Sequence, residues 1–142
     1  MTRPADLDLY CVMGNPVEHS RSPAIHARFA ALTGQAVAYE RRLIPLDGFV
    51  QGVRAFVAEG GRGCNVTVPF KTEACALATH RSPRAQLAGA ANILIFRPDG
   101  SIAADNTDGL GLVADITRNA GVPLAGRRVL LVGAGGAAAG VL

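Results

Sequence analysis

Tryptophan is absent from this 142-residue chain, aromatic residues make up only 5% of it, and a single lysine, Lys71, stands beside 13 arginines. With so few large rings, the interior has to be filled by small side chains. The 17 glycines and 25 alanines suit an α/β protein whose helices lie close on a sheet. No apolar run reaches the roughly 18–20 residues that cross a bilayer, and no apolar stretch follows Arg3 as a signal peptide would require. A net charge of +3, with arginines scattered and adjacent only at Arg41-Arg42 and Arg127-Arg128, lacks the basic stripe of a nucleic-acid binder. Charged residues are 18% and hydrophobic residues 49%, so the chain is not disordered by composition. Cys11, Cys64 and Cys75 are odd in number, without CxxC spacing, and set in apolar segments. They read as buried free thiols of a reducing compartment, with neither metal nor disulfide expected. A cytoplasmic protein with a small-molecule partner, and no nucleic-acid or membrane partner, is the expectation.

The elements alternate between strand and helix patterns. Residues 7–13 read as a buried strand that breaks at Gly14-Asn15-Pro16. A helix follows Ser22-Pro23, with Ile25, Phe29 and Leu32 on one face, and stops near Thr33-Gly34. A strand over 37–43 precedes a helix over 46–59, where Phe49, Val53, Phe56 and Val57 fall at helical spacing. Gly60-Gly61-Arg62-Gly63 turns into a short strand over 64–68, closed by Pro69. Short helices over 70–78 and 83–87 come next, then strands over 91–96 and 101–105 joined by the hairpin turn Pro98-Asp99-Gly100. A helix over 107–120 completes an α/β unit whose mostly parallel sheet is flanked by helices and carries the hairpin at its edge.

A turn-rich linker over 121–126 separates this first domain, residues 1–120, from an apolar strand over 128–132 and a glycine-rich turn. Residues 127–142 thus read as the truncated start of a Rossmann-like domain: strand, turn and the first residues of a helix. A helix this short is marginal by itself, so the chain is expected to be a fragment. Within it, Gly133-x-Gly135-x-x-Ala138 fits G-x-G-x-x-G/A, whose glycines allow a tight turn and close backbone approach to a pyrophosphate. The same pattern also arises from Ala/Gly-rich packing.

Lys71 follows Asn65-Val66-Thr67-Val68-Pro69-Phe70, at the carboxyl edge of a strand where open α/β sheets bind ligands. It reads either as a solvated surface lysine or as a proton-exchanging group, since this chain uses arginine wherever a generic positive charge serves. Asp108, in Asp105-Asn106-Thr107-Asp108-Gly109, is either a first-turn acid complementing a helix dipole or a carboxylate that pairs with an ammonium. Ser22-Pro23 and Ser82-Pro83 both carry the signal of an N-cap with first-turn proline. Only the former has a second hydroxyl two residues earlier, and Ser20-x-Ser22 could cradle a carboxylate. His19, His26 and His80 lack metal spacing and receive no chemistry.

Five segments, in order, resemble shikimate dehydrogenase: Gly14-Asn15-Pro16-x-x-His19-Ser20-Arg21-Ser22-Pro23-x-Ile25-His26, then Asn65 through Lys71, Gly89-Ala90-Ala91-Asn92, Asp105 through Gly109, and the turn at 133–140. The likeness covers essentially the whole chain. It implies reversible, NADP-dependent reduction of 3-dehydroshikimate to shikimate, a step toward aromatic amino acids. By that resemblance Ser20 and Ser22 bind the substrate carboxylate, with Thr67 contributing. Asn92 and Asp108 hold ring hydroxyls, and Asn65 is a further candidate. Lys71 forms a catalytic dyad with Asp108, while Gly133, Ala134, Gly135, Gly136 and Ala137 face the cofactor. Hydride transfer to a ketone leaves an alkoxide that needs a proton, and Lys71 can deliver one and take it back.

Two positions depart from the family pattern: Ile93 where many members have threonine, and Pro83 where some have an acid said to touch the cofactor. The family's later tyrosine and glutamine at the substrate have no counterparts here. Because most of the implied cofactor domain is absent, the 142-residue piece is expected to bind shikimate, if its first domain folds alone, without turning it over. Two other readings stand beside this one. A quinate/shikimate dehydrogenase would have broader specificity, against which Ser22 leans. A non-catalytic sensing domain would keep the polyol pocket and lose the proton-transfer pair. The residues that select NADP over NAD are expected beyond Leu142, and either a monomer or a homodimer is compatible with the sequence.

Overall fold

Alternation of strand and helix patterns needs a sheet on which the helices can lie. A computed structural model describes residues 7–142 and contains such a sheet. In chain order the elements are β1 (Asp8–Gly14), α1 (Ser22–Thr33), β2 (Val37–Leu43), α2 (Phe49–Ala58), β3 (Gly61–Val66), α3 (Lys71–Leu77) and β4 (His80–Arg81). They continue with α4 (Pro83–Ala88), β5 (Ile93–Phe96), β6 (Ile102–Asp105), α5 (Asp108–Ala114), a π-helical turn at Asp115–Asn119, and α6 (Gly136–Val141). The six strands lie in the order β2-β1-β3-β5-β6-β4. β1 is parallel to β2 and β3, and β4 is parallel to β6, while β5 runs antiparallel to both β3 and β6. The hairpin of β5 and β6 is therefore not at the edge. The two-residue strand β4, which no sequence pattern announced, lies outside it.

This topology decides where chemistry can happen. Because β1, β2 and β3 run one way and β5 the other, the carboxyl ends of β1 and β3 meet the amino end of β5 at one edge of the sheet. β6 reverses again, so its carboxyl end arrives there too. The segments 15–22, 67–71, 92 and 106–108 all emerge along that single edge.

The core lies on one face of the sheet. Leu9, Cys11 and Met13 of β1 meet Phe49, Val53 and Phe56 of α2, with Phe70, Ala74 and Leu94 completing the cluster. Burying a side chain of the Val or Phe class contributes roughly 1.5–3 kcal/mol. Phe49 stacks on Phe70 with centroids 5.0 Å apart, which draws the start of α3 onto α2. All three cysteines are free and buried in this layer. A hydrogen bond with Cys64, and then burial, push the Cys11 thiol well above its ordinary pKa.

Several expected boundaries shift. The strand after Gly60 begins at Gly61 and ends at Val66, because Thr67 to Phe70 form a turn in which the Phe70 N–H donates to the Thr67 carbonyl at 3.0 Å. Val57 is exposed, since Phe49, Val53 and Phe56 already fill the stripe that faces the sheet. On α1 the expected apolar face points the wrong way. Ile25, Phe29 and Leu32 are exposed, while Ser22, His26 and Ala30, one turn apart, are half-buried toward the sheet. The strand expected over 128–132 is not formed. Val129, Leu130 and Val132 are among the most exposed apolar residues, and no described strand lies beside them to supply hydrogen bonds. Residues 1–6, including the N-terminal stretch read above, lie outside the described residues. Among the described residues no helix is long and apolar enough to cross a membrane.

Candidate active site

Lys71 is the first residue of α3, held at the sheet edge by the turn after β3 and by the buried ring of Phe70. Asp108 is the first residue of α5 and lies shortly after the end of β6. The Lys71 Nζ donates to Asp108 Oδ2 at 2.5 Å, and the two side chains are 14% and 24% exposed, so the pair is shielded but reachable. The other carboxylate oxygen is occupied as well. Asn92 Nδ2 donates to Asp108 Oδ1 and to Thr107 Oγ1, both at 3.0 Å, while Asn92 Oδ1 accepts the Thr107 N–H at 3.0 Å. Asn92 thus fixes the pair from the amino end of β5.

Across the same edge, the loop after β1 brings a second polar group. Ser20 Oγ donates to Ser22 Oγ at 3.1 Å and accepts the Ser22 N–H at 3.3 Å. Arg41 of β2 clamps this loop by donating from Nε and Nη2 to the Ser20 carbonyl at 2.9 and 2.6 Å. Ser22 is not an N-cap: Arg21 occupies that position, and its side chain makes no capping bond. Ser82 does cap its helix, its Oγ accepting the Ala85 N–H at 3.1 Å. The Ser22 hydroxyl, bonded to Ser20 rather than to its own helix, is on the pocket wall.

Asn65 lies between the two groups. Its Oδ1 accepts from the Tyr39 hydroxyl at 2.7 Å and its Nδ2 donates to the Asn92 carbonyl at 3.4 Å. Burial raises the Tyr39 phenol above its ordinary pKa, so it stays a neutral donor. The His26 ring stacks on Tyr39 with centroids 4.0 Å apart, and its Nδ1 lies 2.9 Å from the Ser22 carbonyl. Ser20, Ser22, His26, Asn65, Lys71, Asn92 and Asp108 bound a pocket of about 420 Å³, with Thr67 and His19 also on its wall and Tyr39 behind Asn65. Thr67 holds the bottom of it: a Cβ on Gly14 would overlap the Thr67 methyl, so only glycine at 14 lets the two loops close.

The site unites Ser20, Ser22, Asn65, Thr67, Lys71, Asn92 and Asp108, which are drawn from most of the first domain's length. His19 and His26, whose spacing carries no metal or catalytic signal, line the same pocket, and no sequence motif marks Tyr39, which bonds to Asn65 beside it. Strand alternation puts Val37, Tyr39 and Arg41 on one face of β2, but only the position of α1 shows that this face looks toward the hydroxyls.

The glycine-rich turn is apart from this pocket yet touches its frame. Gly133 has φ +132°, a conformation open to glycine, and nothing lies within 4 Å of a Cβ built on Gly133 or Gly135. Such bare backbone fits close approach by a phosphate group. On the opposite side, a Cβ on Gly136 would lie 3.1 Å from the Cβ of Lys71.

Comparison with known proteins gives this arrangement relatives. The family model of the shikimate dehydrogenase substrate binding domain matches residues 12–94. Shikimate dehydrogenase (NADP(+)) of Acidovorax sp. (strain JS42) is 77% identical over 138 residues, 97% of this chain and 49% of the relative. The protein of the same name from Paracidovorax citrulli (strain AAC00-1) is 70% identical over the full chain and 50% of its own length. Among solved structures, an Ael1 enzyme from Pseudomonas putida superposes with a TM-score of 0.85 at 51% identity, covering 94% of this chain and 49% of that one. Shikimate 5-dehydrogenase from Thermus thermophilus, in complex with NADP(H) and shikimate, gives 0.84 at 35% identity over 95% of this chain and 50% of that one. The chain spans about half the length of the curated relatives it matches, and it belongs to the shikimate dehydrogenase family through that family's substrate-binding domain.

Proposed function

We propose that this chain carries the substrate site and proton-transfer pair of an NADP-dependent oxidoreductase that interconverts shikimate and 3-dehydroshikimate. The observation that carries this reading is the Lys71–Asp108 contact of 2.5 Å on the wall of a pocket that also holds paired serine hydroxyls. In this assignment residues 1–120 form the substrate domain, 121–126 the linker, and 127–142 the beginning of the cofactor unit. The cytoplasm is the compartment that three buried free thiols favour.

The roles that the family resemblance implies are compatible with each residue's bonding. Ser20 and Ser22 present hydroxyls to the substrate carboxylate, with the Arg41 guanidinium fixing their loop and adding positive charge nearby. Asn92 and Asp108 receive ring hydroxyls, and Thr67 and Asn65 close the pocket beside them. NADP, when bound, accepts or supplies the hydride. Its phosphates would meet Gly133, Ala134, Gly135, Gly136 and Ala137, a turn whose backbone is open at Gly133 and Gly135.

In the oxidation direction the reacting hydroxyl gives its proton to Lys71 in its neutral amine form as the hydride leaves the same carbon. In reduction Lys71 returns a proton to the developing alkoxide. Asp108 orients the ammonium and shares the proton's charge, so the transfer belongs to the pair. Shikimate-dependent formation of NADPH by the full protein tests the reading, and its absence refutes it. The Ser22 hydroxyl favours shikimate over quinate, which the same assay reads as the ratio of kcat/KM for the two. A purely sensing domain would bind shikimate yet give no NADPH.

A further inference from the structure

Asn106 is the one buried polar residue among those described, only 2% exposed, and it takes no part in the pocket. A buried amide is costly unless both its ends are satisfied. Here both are: Nδ2 donates to the Ala90 carbonyl at 3.0 Å, and Oδ1 accepts the Asp108 N–H at 3.1 Å. Through these two bonds Asn106 joins the start of α5 to the segment that carries Asn92. That segment is in turn tied to α3, because the Ala91 N–H donates to the Lys71 carbonyl at 2.8 Å. One side chain thus touches the frame of both members of the proton-transfer pair.

Its remaining face is covered by α6. A Cβ on Gly140 would lie 2.6 Å from Asn106 Nδ2 and 2.8 Å from Oδ1, so the backbone of α6 rests directly on the amide. Two further glycines mark the same seam. A Cβ on Gly109 of α5 would lie 2.8 Å from the Gly140 carbonyl oxygen, and one on Gly136 would lie 3.1 Å from Lys71 Cβ and 3.5 Å from Ala90 Cβ. Gly111, two residues along α5 from Gly109, has nothing within 4 Å of its would-be Cβ. Glycine is therefore sterically required at 109 and 140, where α6 meets α5 and Asn106, fits tightly at 136 beside Lys71, and is not required at 111.

We propose that Asn106 is a positioning residue: its side chain registers the helix of the glycine-rich turn against the Lys71–Asp108 pair, so that proton transfer and cofactor approach are set in one rigid seam. The inference rests on the function proposed above. The carboxylate end of the pocket, on the loop before α1, is built by other bonds and does not depend on this seam. Loss of register should then appear in turnover and leave shikimate affinity almost intact. A displacement of about 1 Å can cost roughly 10²-fold in rate.

The test compares Asn106→Ala, Gly140→Ala and their double variant in the full protein, with Gly109→Ala and Gly111→Ala as a matched pair. Asn106→Ala and Gly140→Ala are each expected to lower kcat by roughly 10- to 10²-fold while KM for shikimate changes by less than about threefold. The double variant should be no worse than the poorer single one, because both act on a shared contact. In the protein without ligands, Asn106→Ala should speed amide exchange at Asp108, whose N–H loses its acceptor. Gly109→Ala should follow Gly140→Ala, whereas Gly111→Ala should raise Tm and leave kcat unchanged. Gly109→Ala also serves if Asn106→Ala does not fold. Folded variants with the wild-type kcat, losses that multiply in the double variant, or equal effects at Gly109 and Gly111 would each overturn the proposal. A wild-type protein that forms no NADPH from shikimate refutes the function itself, and this inference with it. Wild-type activity with indifferent variants refutes only the inference.

Discussion

Asp105 and Asp108 sit three residues apart on one segment, each paired with a cation at nearly the same distance, and they do different work. Asp105 meets Arg84 at 2.6 Å, and its Oδ1 also takes the Ser82 hydroxyl at 2.5 Å and the Asn106 N–H at 2.7 Å. Burial works to raise its carboxyl, but Arg84, Ser82 and the Asn106 N–H outweigh it and hold it below the usual carboxylate range. Arg84 is half exposed, and neither member of the pair lines the pocket. Asp108 meets Lys71 at 2.5 Å inside the pocket wall, with its other oxygen shared with an amide. Arginine cannot release its proton in practice, so the Arg84 pair can only hold. Lysine can, so the Lys71 pair can hold or exchange. The two Ser-Pro helix starts divide in the same way, Ser82 spending its hydroxyl on a cap and Ser22 keeping its own for the pocket.

Replacing each cation in turn is the sharpest way to break this contrast. Lys71→Ala is expected to cut turnover by 10²-fold or more, about 2.7 kcal/mol of barrier, with a smaller change in shikimate affinity. Arg84→Ala should change kcat by less than about threefold, as expected for a surface pair. Steady-state kinetics on the two variants checks both, and near-normal turnover in Lys71→Ala would remove it from the mechanism.

The serines give the next largest effects. Ser22→Ala should weaken shikimate binding by about tenfold, roughly 1.4 kcal/mol, since a hydrogen bond to a charged group is lost while Ser20 remains. Calorimetric titration measures it, and Tm should stay within a degree or two. Ser82→Ala should reverse the pattern, costing about 1 kcal/mol of stability as an N-cap does, with shikimate affinity unchanged. Equal effects of the two substitutions on affinity would erase the distinction drawn between them.

Acid stability supplies the smallest effect. Because the folded-state pKa of Asp105 is lowered, its pair stabilises the fold at pH above the ordinary carboxylate value of about 4 and loses that contribution as pH falls further. Asp105→Asn should cost about 0.2–1 kcal/mol near neutrality, and the gap to wild type should narrow below pH ~4 in denaturant melts. A constant gap across that range would mean that the carboxylate's charge contributes nothing.

Much of the fold could be read in the linear pattern. The strand over 37–43, the strand expected over 101–105 and found at Ile102–Asp105, and the Ser82-capped helix that begins at Pro83 follow from alternation, breakers and caps, which are local signals. Where the outcome depended on a partner, local pattern failed. The stripe Ile25, Phe29 and Leu32 has helical spacing, yet the stacking of His26 on Tyr39 turns the other side of α1 to the sheet. Residues 128–132 have strand composition and no neighbouring strand among those described. Tyr39 and Arg41 look like ordinary strand residues until β2 is laid beside the loop of Ser20 and Ser22.

The sequence by itself determined which side chains are present and which local conformations they favour: one lysine after a proline turn, an aspartate opening a helix, two serines before another. Those are properties of a few neighbouring residues, so short motifs record them. Only the tertiary structure decided that Lys71 meets Asp108 rather than water, that Ser22 lines the pocket instead of capping its helix, and that the backbone of α6 lies against Asn106. Each of those outcomes requires the carboxyl ends of β1, β3 and β6 to arrive at one sheet edge with the amino end of β5 between them. That is a matter of pairing and packing between distant segments, which no local preference encodes.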